Sequence, residues 1–135
     1  MHESEMMEKV LQAAEEARHR AYAPYSHFHV GAAVMLSDGT IVQGCNVENA
    51  SYGLSVCAER VALWSAVAQG RRDFVAMGLS LANGTPCGAC RQVMRELCSP
   101  DMPVWVRTDD GQVRKYTVAE LLPDAFSSTD LTESG

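Results

Sequence analysis

The chain has 135 residues and a formal net charge of −6, long enough for one domain with its own core. Its acidity argues against a duplex-binding surface, which is ordinarily basic. Apolar residues make up 47%, yet no run approaches the ~18 needed to span a bilayer. The opening MHESEMMEK lacks the charged-then-apolar pattern of a secretory leader, so we expect a reducing, cytoplasmic setting. A charged content of only 21% leaves room for surface covered by further copies of the chain.

From about Glu5 to Ala21 the sequence reads as an amphipathic helix. Met7, Val10, Leu11, Ala14, Ala17 and Ala21 share a stripe, and Glu8, Lys9, Glu15, Glu16 and Arg18 mostly fall off it. Tyr22-Ala23-Pro24-Tyr25-Ser26 ends it, because proline cannot continue the ladder and restrains the residue before it. His29 to Leu36 alternates, with Val30, Ala32, Val34 and Leu36 on one face. Ser37-Asp38-Gly39 carries a hairpin signature, and a return strand follows from about Thr40 to Val47. Asn49 to Ser55 is a polar loop. Cys57 to Gln69 is a helix, apolar nearly all round (Val61, Leu63, Trp64, Val67, Ala68) and so expected to be well buried, with Gly70 at a left-handed cap.

Phe74 to Ala82 is a strand whose continuous apolar run suits cover on both faces. Thr85 and Pro86 fit the N-cap and first turn of a third helix, about Cys87 to Cys98. Met102 to Arg107 is a strand, Asp109-Asp110-Gly111 a turn, and Gln112 to Tyr116 a short strand. Val118 to Leu122 is one helical turn capped by Thr117. From Pro123 the tail is polar except for Phe126 and Leu131. Strand, helix, strand, helix, strand is the rhythm of an α/β fold, and the opening hairpin adds an antiparallel part. The expected architecture is one domain over residues 1–135, three-layer α/β/α, with a mixed sheet of about five strands.

Five cysteines are an odd number, so no full disulfide framework exists within one chain. Three are informative. Cys57-Ala58-Glu59 stands one strand–helix unit before Pro86-Cys87-Gly88-Ala89-Cys90. The helix from Cys57 descends roughly 18 Å and the next strand climbs back by about 25 Å. Cys87 therefore returns to the end of the sheet where Cys57 began, at the carboxyl ends of strands where α/β folds place their sites. Three thiolates hold a zinc ion and leave its fourth position open, as catalytic rather than structural sites do. Two helix starts favour thiolates, and Arg60 is placed to donate hydrogen bonds to sulfur. Unrelated buried thiols or a redox Cys-x-x-Cys pair are the alternatives, but the latter leaves Cys57 and Glu59 unexplained. His27 and His29 read as surface or rim residues. Cys45 and Cys98 read as small buried hydrophobes.

At these residues the chain resembles the cytidine deaminase family, of the small homotetrameric zinc-dependent type. The likeness runs through AYAPYSHF, VGAAV, GCNVENASYG, CAER, TPCGACRQ and LLPDAFSSTDL, in that order. Thr85 stands where the family often has serine. The resemblance implies that Cys57, Cys87 and Cys90 bind one Zn2+ per subunit and that Glu59 shuttles protons during hydrolysis of cytidine or deoxycytidine. It further implies that Asn46 and Glu48 bind the ribose hydroxyl and Phe28 stacks on the pyrimidine. The Ala58 N–H would contact the base carbonyl. Arg60 would draw charge from the sulfurs, and Phe126 would close a neighbouring subunit's site, with Tyr25 and Tyr52 at subunit contacts. A pyrimidine nucleoside and copies of itself are the expected partners, with no nucleic acid polymer and no membrane. A blasticidin-type deaminase and a noncatalytic zinc module are the rival readings.

Overall fold

A computed structural model describes residues 1–131. The strands β1 (Gly31–Leu36), β2 (Ile41–Cys45), β3 (Phe74–Leu81), β4 (Pro103–Thr108) and β5 (Val113–Thr117) form a single five-stranded sheet in the order β2-β1-β3-β4-β5. β1 runs antiparallel to both β2 and β3, β3 parallel to β4, and β4 antiparallel to β5. The helices are α1 (Glu3–Arg18), α2 (Ala58–Ala68), α3 (Gly88–Leu97) and the single turn α4 (Val118–Leu121). The parallel β3–β4 pair needs a crossover, and α3 supplies it. α1 covers one face of the sheet, and α2 and α3 cover the other. The mixed three-layer fold expected from the sequence is therefore the one present.

Burial explains how far the sequence pattern reached. Val30, Ala32, Val34 and Leu36 join the cluster beneath α2 and α3, as their alternation requires. The intervening Ala33 and Met35 are equally buried against Val10, Leu11 and Ala14 of α1, so β1 is covered on both faces. β3 is covered likewise, through Met77 and Leu79 on one side and Ala76 on the other. Small residues let the helices come close. A Cβ at Gly31 would lie 1.9 Å from the Ala14 carbonyl oxygen, and one at Gly78 2.6 Å from the Val10 carbonyl carbon. Neither gap admits an atom. Gly44 performs the same service under α2, where a Cβ would stand 2.4 Å from the Ala62 nitrogen.

Element ends differ from the sequence expectation for identifiable reasons. α1 stops at Arg18 rather than Ala21. The chain then turns so that Tyr22 bridges Val47, with Tyr22 N–H donating to Asn46 O at 2.9 Å and Glu48 N–H to Tyr22 O at 2.8 Å. β1 begins at Gly31, two residues after His29. α3 begins at Gly88, with Cys87 as its N-cap; Thr85 lies outside the helix because its hydroxyl accepts from Arg91 Nη2 at 2.8 Å. α2 is not buried all round, since Trp64 is 46% and Val67 37% exposed. Its C-terminus does close as expected on Gly70 (φ 84°), with Gly70 N–H to Val67 O at 2.9 Å and Arg71 N–H to Ala66 O at 2.9 Å. Cys98 is a buried thiol, pushed up to about 12 by burial, whereas Cys45 is only half-buried.

Candidate active site

Cys57 and Cys87 are the N-cap residues of α2 and α3, and Cys90 sits in the first turn of α3. Neither N-cap side chain makes a capping hydrogen bond to the backbone of its own helix. The sulfurs are thereby left to face one another among helix-start N–H groups and the positive ends of two dipoles. Cys57 Sγ lies 3.7 Å from Cys87 Sγ, which lies 3.5 Å from Cys90 Sγ. All three sulfurs fall within 4.8 Å of one another. Zinc–sulfur bonds of about 2.3 Å in a tetrahedron set sulfurs roughly 3.8 Å apart, so the three cysteines fit one zinc ion and leave a fourth side open.

The Cys57 thiol is held below its ordinary value, first by a hydrogen bond from Cys90, then against burial by Arg60 and Cys87. Cys90 is pushed up, first by giving that hydrogen bond and then by burial. Arg60 Nη2 donates to Cys57 Sγ at 3.3 Å, and this bond raises the pKa of the guanidinium further. The guanidinium also lies 5.8 Å from the Trp64 ring centroid, within reach of a cation–π contact.

Glu59, the second residue of α2, is 3% exposed. Burial pushes its carboxyl up to about 7, and the neighbouring Cys57 charge adds to that. Its own backbone N–H, Cys90 and Arg60 pull the other way. Cys57, Ala58, Glu59 and Cys87 share a cleft of about 300 Å³ with Phe28, Val30, Asn46, Glu48, Leu81 and Thr85. That volume is at the small end of ligand pockets, and the lining is mostly apolar with a few convergent polar groups.

The short Tyr22–Val47–Val56 bridges hold Asn46 and Glu48 at this cleft. Asn46 Oδ1 accepts from Val30 N–H at 2.8 Å, and its Nδ2 donates to Phe28 O at 2.8 Å. One Glu48 oxygen accepts from the N–H groups of Tyr25 at 3.0 Å and Ser26 at 3.1 Å, and the other accepts from the Ser26 hydroxyl. These bonds, the hydroxyl first, hold the Glu48 carboxyl below its ordinary value. The chain enters the site through His27 at φ 60°, a left-handed turn that costs a non-glycine residue about 1–2 kcal/mol.

Nine of the ten candidate residues thus come together: the three cysteines, Glu59, Ala58, Phe28, Asn46 and Glu48 line the site, and Arg60 contacts a sulfur. Phe126 stands apart. It is 57% exposed, its carbonyl accepting from Gln92 Nε2 at 2.9 Å. Ser26, Val30, Leu81 and Thr85 also line the cleft and were not singled out from sequence. Thr85 carried a signal, being polar and two residues from Cys87; Val30 and Leu81 read only as strand residues.

A mixed sheet with a three-thiol cluster at two helix starts, and a buried carboxylate beside it, defines a zinc-site deaminase class of fold. Residues 4–106 match the cytidine and deoxycytidylate deaminase zinc-binding region, and the chain belongs to that family. It is 48% identical over 127 residues to a cytidine deaminase of Halalkalibacterium halodurans, covering 92% of this chain and 96% of that one. A cytidine deaminase of Sporosarcina psychrophila is 46% identical over 129 residues, covering 93% and 95%. The crystal structure of a cytidine deaminase from Burkholderia pseudomallei superposes with a TM-score of 0.86 at 51% identity, covering 88% of this chain and 98% of that chain.

Proposed function

We propose that this protein is a zinc-dependent hydrolase that converts cytidine and deoxycytidine to uridine and deoxyuridine with release of ammonia. The observation that carries the reading is the convergence of three sulfurs beside a buried carboxylate in a cleft of nucleoside size. Cys57, Cys87 and Cys90 hold the ion. When bound, zinc supplies the Lewis acidity that makes water a nucleophile near neutral pH.

Glu59 manages the protons. It accepts one from the water whose oxygen bonds to C4 and passes it to ring N3. The proton left on that oxygen then passes through Glu59 to the amine, so that the C4–N bond breaks, a C4 carbonyl forms and ammonia departs. Burial keeps bulk water from competing for either transfer. Phe28 stacks on the pyrimidine, and the Ala58 N–H receives the base carbonyl. Asn46 has one of its two amide donors engaged by Phe28 O, leaving the other for the ribose hydroxyl. Glu48 accepts from the same sugar and disfavours a phosphorylated substrate by charge. Arg60 withdraws charge from the sulfurs, which keeps three thiolates from quenching the acidity of the ion.

Residues 1–135 act as one domain, a reading supported by two apolar clusters on opposite faces of one sheet. The active form is a homotetramer in which Phe126 covers a neighbour's cleft, supported by the exposure of Tyr52, Leu54, Trp64 and Phe126. The setting is the cytoplasm and the role is recovery of pyrimidine nucleosides. Five cysteines that are all free suit a reducing compartment, and among the described residues no helix is long and apolar enough to cross a membrane. The test is to mix purified protein with cytidine and follow the fall in ultraviolet absorbance. A chelator should stop it and added zinc restore it; no change with any pyrimidine nucleoside overturns the reading.

A further inference from the structure

The metal cluster has one weakly supported side. Cys90 is fully buried and Cys57 receives Arg60, but Cys87 is exposed. The chain leading to it, Gly84-Thr85-Pro86, is irregular, and Pro86 has no N–H to give. Among the described residues this tripeptide makes hydrogen bonds with one side chain only, that of Arg91. Nε donates to Pro86 O at 2.7 Å and Nη2 to Thr85 Oγ1 at 2.8 Å. The third nitrogen, Nη1, donates to Leu121 O at 2.8 Å, at the end of α4. Arg91 itself is fixed from behind, because its N–H donates to Cys87 O at 3.0 Å.

We propose that Arg91 is a positioning residue for the metal: its three-pronged guanidinium fixes the Thr85–Cys87 approach against α4 and so holds Cys87 in the zinc cluster. The proposal rests on the zinc reading of the three cysteines. A planar fork with donors in fixed directions suits three acceptors at once, which a lysine ammonium on a flexible stem does not. Because α4 is the anchor, ion retention is tied to the chain beyond β5, a part of the fold that contributes no ligand. Thr85 gains a second consequence. With its oxygen accepting from Arg91, the hydroxyl proton is directed away from the guanidinium on a residue that lines the cleft.

The test is zinc release from the loaded protein to a chromogenic chelator, with melting temperature and circular dichroism recorded on the same samples. Arg91→Met should speed release about tenfold, the lower end of the effect expected when an outer partner of a metal site is lost. Arg91→Lys should fall between it and the parent, and it keeps the charge if the Met variant fails to fold. Leu11→Val, a core trim on the far face of the sheet, lowers melting without touching this clamp and should release at the parental rate. Parental release from folded Arg91→Lys, or equal acceleration in Leu11→Val, overturns the proposal. A parent that binds no zinc overturns the metal reading instead.

Discussion

Asn46 reaches 9% exposure because its amide replaces what water would have given: it accepts from Val30 N–H and donates to Phe28 O. Both partners are backbone groups of the segment that forms the cleft wall, so Asn46 shapes the wall as well as lining it. Asn46→Ala orphans a donor and an acceptor, at about 1–3 kcal/mol for each group left dry. Stability should fall by roughly 2–4 kcal/mol in a urea titration, with KM for cytidine rising in parallel. An unchanged urea midpoint would remove Asn46 from the structural role. That Cys57, Cys87 and Cys90 would converge was legible because chemistry restricts it: three thiols and a carboxylate in helix-start positions have few other uses. Ser26 and Arg91 were not legible, because each acquires its role from a bond to a residue fixed only after folding, Ser26 to Glu48 and Arg91 to Thr85.

Among the elements, the strands and helices could be read in order because buried runs and turn residues alternate cleanly, and Gly70 and Asp38-Gly39 fall where the turns require. Their ends could not, since α1 is cut short by the Tyr22–Val47 bridge and α3 by the diversion of Thr85 to Arg91. The close contacts under α1 were equally hidden. Gly78→Ala forces a methyl to 2.6 Å from the Val10 carbonyl and should destabilise by about 1–3 kcal/mol. Gly53→Ala meets nothing within 4 Å and should stay within about 0.5 kcal/mol of the parent; chemical denaturation of both variants is the check. The β1–β2 turn carries an acid-sensitive contact. Asp38, ordinarily 3.8, is held at about 2, first by the Thr40 N–H and hydroxyl and then by Arg71. A carboxyl depressed by folding stabilises above its unfolded value and loses that contribution as pH falls through its folded one. Asp38→Asn should therefore melt below the parent at pH 7, and the gap should close between about pH 4 and pH 2. A gap independent of pH would contradict the ionic origin.

For the molecule as a whole, the surface is less self-sufficient than the core. Tyr52 and Leu54 in the loop before α2, Trp64 on α2 and Phe126 in the tail are all exposed large apolar residues. α2 read from sequence as buried throughout, and the proposed tetramer would make that true of its outer face. Light scattering at micromolar concentration should return the mass of four chains, whereas a monomer that is fully active would refute the shared-site reading. The chemistry rests on Glu59, the buried side chain to which the proposed reaction assigns its protons. Glu59→Gln preserves shape and helix while removing the proton carrier. Purified variant should hold one zinc per chain, keep the parental circular dichroism and show no loss of amine from cytidine. Turnover by that variant at a rate near the parent's would contradict the mechanism outright.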